Sequence, residues 1–130
     1  YAAVIPKFIS SLLAGNAPTI YGDGDQTRDF TFVDDCNQAN IKACLSKNGA
    51  GGFFNGGTGK RISINALYDM IRSNLRKDIK PIYEKARDGD VRDSLADISK
   101  AAKSFAYNPV CDIETGIKKT VDWYRDTCKS

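Results

Sequence analysis

Short apolar segments bounded by Gly, Pro and Asp alternate along this chain with longer stretches whose apolar residues recur every three or four positions. Each strand then has to bury its faces against helices that come before or after it, so the alternation predicts the α/β class. Val4, Ile5, Phe8, Ile9, Leu12 and Leu13 predict a helix over 2–14, with Pro6 tolerated only in its first turn and Gly15-Asn16 as its stop. Pro18 opens a short strand, Thr19-Ile20-Tyr21, which the Gly22-Asp23-Gly24 turn ends. Phe30-Thr31-Phe32-Val33 predicts another strand, after which Asp34 or Asp35 caps a helix running to about Leu45. Phe53-Phe54-Asn55 and Pro81-Ile82-Tyr83 read as further strands. Between them Ser63 starts a helix with Ile64, Leu67, Ile71 and Leu75 on one stripe. Asp97 is expected to cap a short helix to Ala102, and Asp112 a last one carrying Ile113, Ile117, Val121 and Tyr124.

At 130 residues, with 42% hydrophobic and 27% charged, the chain has the make-up of one domain with its own core. A net charge of +3 and a pI near 8.7 are too mild, and the charges too mixed along the chain, to point to nucleic acid. The basic run Arg72-Ser73-Asn74-Leu75-Arg76-Lys77 reads as a solvated helix end, where cations complement the carbonyl dipole. Four cysteines without a Cys-x-x-Cys, in a chain with no histidine, predict reduced structural thiols and no bound metal. The missing histidine also removes Ser-His-Asp, Cys-His and imidazole acid/base chemistry. No apolar run is long enough to span a membrane and no leader pattern is visible, so the expected compartment is the cytoplasm.

Two arginines stand in Gly/Asp-rich turns: Arg28 in Gly22-Asp23-Gly24-Asp25-Gln26-Thr27-Arg28-Asp29-Phe30, and Arg87 in Arg87-Asp88-Gly89-Asp90. Guanidinium forks stay charged and bind phosphate oxygens bidentately, so a converging pair suits a diphosphate. Ordinary surface ion pairs with Asp29 and Asp90 are the other reading. Asn55-Gly56-Gly57-Thr58-Gly59-Lys60 looks like a phosphate loop, but Phe54 stands where its first glycine belongs and Arg61 replaces the Ser/Thr. Asp23-Gly24-Asp25 begins like a calcium loop, yet Arg28 takes the place of its central glycine. No Gly-x-Gly-x-x-Gly follows a strand, so a dinucleotide would have to be held by another segment.

Together, Ala2-Ala3-Val4-Ile5-Pro6-Lys7-Phe8, Ile20-Tyr21-Gly22-Asp23-Gly24, Thr27-Arg28-Asp29-Phe30 with Val33-Asp34-Asp35, Phe54-Asn55-Gly56-Gly57-Thr58-Gly59 and Arg87-Asp88-Gly89-Asp90-Val91-Arg92-Asp93-Ser94-Leu95-Ala96-Asp97 resemble the extended short-chain dehydrogenase/reductase family. The likeness is greatest to UDP-sugar 4-epimerases and runs from Tyr1 to about Tyr124. Such enzymes begin with a glycine-rich NAD-binding half and use a Ser/Thr with Tyr-x-x-x-Lys for catalysis, none of which is present here. Tyr68, with Arg72 four positions on, sits on a predicted amphipathic helix. The resemblance therefore implies a C-terminal, substrate-binding portion of an epimerase over residues 1–130. A few of its elements would normally complete the Rossmann domain, and alone it should lack turnover.

By the same resemblance, Arg28 and Arg87 grip the diphosphate of a UDP-sugar and Asp90 accepts a ribose hydroxyl. Thr19 and Tyr21 lie on the strand whose backbone pairs with the uracil edge, although Tyr21 also reads as a core aromatic. An amide near Val4 faces phosphate at a helix start. Ser94 stands where a bulky tyrosine marks enzymes of narrow range, and its small size leaves room for an N-acetyl group; it can equally face solvent or cap the helix near Asp97. Cys36, Asn37 and Gly56 depart from the family pattern without touching these positions. The intact enzyme implied by the resemblance oxidises the sugar at C4 with bound NAD, turns the keto sugar over and returns hydride to the other face. Its partners would be the UDP-sugar, the NAD-binding half and a second subunit in a homodimer. Without that half, the elements around 30–33, 34–45 and 53–55 should leave apolar surface exposed and drive self-association or element swapping. A dehydratase or decarboxylase of the family, or a binding module without turnover, fits the same residues.

Overall fold

The computed structural model describes residues 3–127, and it is a mixed helix and strand structure. In chain order the elements are α1 (Val4–Leu13), β1 (Thr19–Tyr21), β2 (Thr27–Arg28), α2 (Val33–Leu45), β3 (Ile62–Ser63), α3 (Ile64–Leu75), β4 (Ile82–Glu84), α4 (Ser99–Phe105) and α5 (Ile113–Thr127). They divide into two compact units, the described parts of 1–27, 63–92 and 114–130 on one side and 28–62 with 93–113 on the other.

The first unit holds most of the buried apolar side chains. Phe8, Ile9 and Leu12 form the inward stripe of α1, and Ile64, Leu67, Tyr68, Ile71 and Leu75 that of α3. The rings of Phe8 and Tyr68 meet edge to face with centroids 5.4 Å apart, which locks α1 against α3. Ile117 and Val121 of α5 and Ile20 of β1 complete the core. Each such side chain removed from water contributes about 1.5–3 kcal/mol, and that burial is what holds these short helices. Pro6 falls inside the first turn of α1, where its missing N–H has no intrahelical partner to lose. Ser63 caps α3 as expected, its Oγ accepting from the Ala66 amide at 3.1 Å. Tyr68 is a core residue whose hydroxyl donates to the Ile79 carbonyl.

β1 pairs with β4 in parallel, Thr19 opposite Ile82 and Tyr21 opposite Glu84. Ile82 N–H donates to Pro18 O and Gly22 N–H to Glu84 O, both at 2.9 Å, so the even-numbered residues of β1 face β4. The backbone groups of Thr19 and Tyr21 therefore turn to the opposite edge, where this two-stranded sheet has no third strand among the described residues.

The second unit is built around polar anchors. Asp35 is fully buried, and its carboxylate accepts from the amides of Val110 (2.8 Å) and Cys111 (3.1 Å). The expected cap at Asp34 or Asp35 is thus corrected: α2 starts at Val33 behind Phe32, which offers no capping side chain, and both aspartates lie in its first turn. Phe30–Val33 is not a strand, because Val33 already belongs to the helix and 29–32 is irregular. Phe53–Asn55 is irregular as well, since a strand exists only where a ladder partner lies beside it. The cap position of α4 is Ile98, not the expected Asp97, whose carboxylate nevertheless accepts from the Ser99 amide at 2.9 Å just ahead of the helix, and α4 runs further than expected, to Phe105. Lys42 closes its other end by donating to Ala106 O at 2.7 Å. Tyr107 is buried with its hydroxyl on Gly57 O at 2.8 Å, while Val33, Ile41, Leu45, Phe53, Leu95 and Val110 are exposed. Among the described residues no disulfide joins Cys36, Cys44 or Cys111 to another; Cys128 lies outside them.

Candidate functional site

In the first unit the Gly22–Asp25 turn, the end of β1 and the Arg87 turn come together. Arg87 O accepts from Asp90 N–H at 3.2 Å, and Gly89 takes φ of 80° at the third position, a type II turn that fixes Arg87 and Asp90 on one loop. The Arg87 guanidinium lies over the Tyr21 ring, 3.8 Å from its centroid. An arginine seated on an aromatic face keeps its charge and its N–H fork while losing rotamer freedom, as an anion-gripping cation must. Tyr21 is half-buried and serves as that platform.

A cavity of about 410 Å³ adjoins this end of β1 and is lined by Lys7, Ser10 and Ser11 of α1 and by Thr19 and Tyr21, a volume in the range of small-molecule sites. Thr19 and Tyr21 are also the residues whose backbone groups lie on the edge of β1 away from β4. Gln26, buried, occupies part of that edge: its Nε2 donates to Tyr21 O at 2.6 Å, and its Oε1 has no partner among the described residues. Val4 begins α1, half-buried, and its helix start carries no side-chain cap.

The turn before Gln26 is held by its own carboxylates. Asp23 accepts from Asp25 N–H at 2.9 Å and, through both oxygens, from Arg92 at 2.9 Å. The Asp25 amide, followed by the Arg92 guanidinium, holds the Asp23 carboxyl below the usual carboxylate range. Asn65 of α3 donates to Asp23 O and Asp25 Oδ1, and accepts from the Tyr83 hydroxyl at 3.0 Å. Gly24 has φ of 79°, and a Cβ there would meet Asn65 Oδ1 at 2.0 Å, so only glycine fits.

Arg28 and Ser94 belong to the second unit. The residue after Arg28 explains why the glycine loop at 57–59 is no phosphate cradle. Asp29 fills it, accepting from Thr58 N–H (3.0 Å), Gly59 N–H (3.0 Å) and the Thr58 hydroxyl. The nest is occupied by an internal anion. Ser94 is exposed and lies in the irregular stretch before Asp97. Of the positions singled out in the sequence, the first unit gathers Thr19, Tyr21, Arg87 and Asp90, and the second carries Arg28 and Ser94. Gln26, Asp29 and Arg92 were missed; all three lie inside or beside the two arginine motifs, but their hydrogen bonds reach segments distant in sequence.

A parallel strand pair, a glycine-turn arginine seated on an aromatic ring and a Thr-Arg-Asp-Phe segment are borne here on a chain of the extended short-chain dehydrogenase/reductase family. The family model described as GDP-mannose 4,6 dehydratase matches residues 2–120, and the chain belongs to that family. It is 36% identical over 125 residues to a UDP-glucose 4-epimerase of Mycolicibacterium smegmatis, covering 96% of this chain and 40% of that protein. It superposes on the UDP-glucose 4-epimerase of Thermotoga maritima, solved with UDP-glucose, with a TM-score of 0.93 at 35% identity, covering 98% of this chain and 40% of the other. The UDP-N-acetylglucosamine 4-epimerase of Methanobrevibacter ruminantium, solved with UDP-N-acetylmuramic acid, gives 0.91 at 42% identity with the same coverage. The family also includes a Xanthomonas campestris dTDP-glucose 4,6-dehydratase (38% identity), a Bacillus cytotoxicus UDP-N-acetyl-alpha-D-glucosaminuronate decarboxylase (31%) and a Bacillus cereus UDP-glucuronic acid 4-epimerase solved with UDP-glucuronic acid and NAD (29%). The chain spans about two-fifths of the length of these epimerases and corresponds to their C-terminal portion. No helix among the described residues is long and apolar enough to cross a membrane.

Proposed function

We propose that this chain is the UDP-sugar-holding portion of a 4-epimerase that interconverts gluco and galacto forms, working in the cytoplasm. The observation that carries the reading is the Arg87 guanidinium on Tyr21, beside an open strand edge and a cavity. The edge carries the Thr19 N–H and C=O and the Tyr21 N–H, groups of the kind a uracil imide pairs with. Arg87 supplies permanent positive charge for the diphosphate, Asp90 on the same turn an acceptor for ribose, and the α1 start near Val4 amides for a phosphate. Arg28 is assigned as the second diphosphate cation, and Ser94 as the small residue beside the sugar that admits an N-acetyl group.

The residues here do not fit NAD: no Gly-x-Gly-x-x-Gly is present, and the Thr58 and Gly59 amides are taken by Asp29. We assign NAD and the catalytic Tyr-x-x-x-Lys to the rest of the intact protein, and no turnover to this portion alone. Its share is to keep hold of UDP while the hexose is loosely held, so that binding energy on the nucleotide serves a step elsewhere. Titration of UDP into the intact protein by calorimetry tests this. Arg87→Ala and Arg28→Ala should each weaken UDP by about 2–5 kcal/mol, the range for truncating one member of a desolvated charge pair. Unchanged affinity in both would sink the diphosphate grip.

A further inference from the structure

We infer that Asp29 is a positioning residue for sugar selection, coupling the loop at 57–59 to the segment that bears Ser94; this rests on the nucleotide-sugar reading above. One carboxylate collects donors from two distant stretches of chain. Thr58 N–H reaches Oδ1 at 3.0 Å and Oδ2 at 3.1 Å, the Thr58 hydroxyl reaches Oδ1, and Gly59 N–H reaches Oδ2 at 3.0 Å. Ala96 N–H completes the set on Oδ2 at 3.4 Å. Ala96 stands two residues after Ser94, in a stretch without regular structure whose Ser94 and Leu95 are exposed. Further anchors lie just downstream, at Asp97, which takes Asn55 on its carbonyl and Ser99 on its carboxylate.

The three segments are in close contact. A Cβ built on Gly57 would stand 2.4 Å from Ala96 Cβ and 2.8 Å from Asp29 Oδ2. The fit leaves no room for a side chain between the loop and the Ser94 segment. Moreover, Asp29 directly follows Arg28, so ordering its carboxylate also orders the backbone that carries the guanidinium. Only a carboxylate suits the place, because it presents acceptors alone. An asparagine would put an NH2 group at one of the two oxygen positions, against the Thr58 amide in one orientation or the Gly59 and Ala96 amides in the other, and oppose donor with donor.

The test compares Asp29→Asn, Gly57→Ala and Thr58→Val with the wild type in the intact protein, reading UDP affinity and then kcat and KM for UDP-glucose and UDP-N-acetylglucosamine. Asp29→Asn and Gly57→Ala should raise KM roughly tenfold to a hundredfold, the size of effect a misplaced site segment produces. They should also change the ratio of kcat/KM between the two sugars. Thr58→Val removes one donor and should move both readouts the same way by roughly threefold, which decides the matter if the other two variants do not fold. Variants that lose thermal stability but keep the wild-type KM and sugar ratio would overturn the inference. A wild type that takes up no UDP would instead overturn the function it rests on.

Discussion

Tyr21 and Arg87 make one contact that, on the proposed function, would serve both stability and binding. The ring lends the guanidinium a fixed bearing, and a partly desolvated cation–π pair is worth about 0.5–2 kcal/mol. Tyr21→Phe should therefore bind UDP as the wild type does, whereas Tyr21→Ala should weaken it by about that amount, measured by calorimetry on the intact protein. Titration behaviour also follows from single residues. The hydrogen bonds to Asp23 lower its carboxyl pKa below the ordinary 3.8, as the Ser99 amide does for Asp97. A lowered acid is protonated more readily in the unfolded chain, so these groups support folding above the usual carboxylate range and cease to as pH falls through their folded values. Tyr68 runs the other way: burial raises its phenol above 10.0. Its contribution is complete below that value and lost as pH climbs through the raised one. Tyr68→Phe should cost about 1 kcal/mol near neutrality by orphaning Ile79 O, and should flatten part of the alkaline limb in urea unfolding followed by circular dichroism.

Helices were legible where a stripe and a cap coincide. α3 is the clearest, with Ser63 as cap and Ile64, Leu67, Ile71 and Leu75 all buried. Ser63→Ala should lower stability by about 1 kcal/mol in chemical denaturation, and Gly24→Ala far more, since its Cβ has to displace Asn65 from a left-handed turn. The strands were legible only where both partners lie in the same unit, as β1 and β4 do. Phe30–Val33 and Phe53–Asn55 have strand-like composition, but composition names a preference and a ladder needs a neighbour. Asp35 misled for a related reason. An aspartate at a helix start is the common cap, and nothing local signals that two amides 75 and 76 residues away will claim it. At the site, Arg87 could be read from its turn, whereas Tyr21 as its platform and Asp29 as an internal anion depend on contacts the chain makes only once folded.

The two units differ in what they bury. The first encloses a continuous apolar core from α1, α3, α5 and β1. In the second the buried apolar side chains among the described residues are Ala101 and Tyr107, while Leu45 is 82% and Phe53 90% exposed. Apolar side chains so exposed seek cover. We expect this chain alone to self-associate in a concentration-dependent way by light scattering, and Leu45→Glu with Phe53→Ser to suppress it; a monomer at every concentration would contradict that reading of its surface. One further consequence lies in the parallel pairing of β1 with β4. The two strands are about sixty residues apart, a loop whose closure entropy must be overcome before any ladder bond repays it. Parallel partners so far apart zip late. In refolding, capacity to capture nucleotide should thus return with the slowest phase, after α3 has already regained its ellipticity.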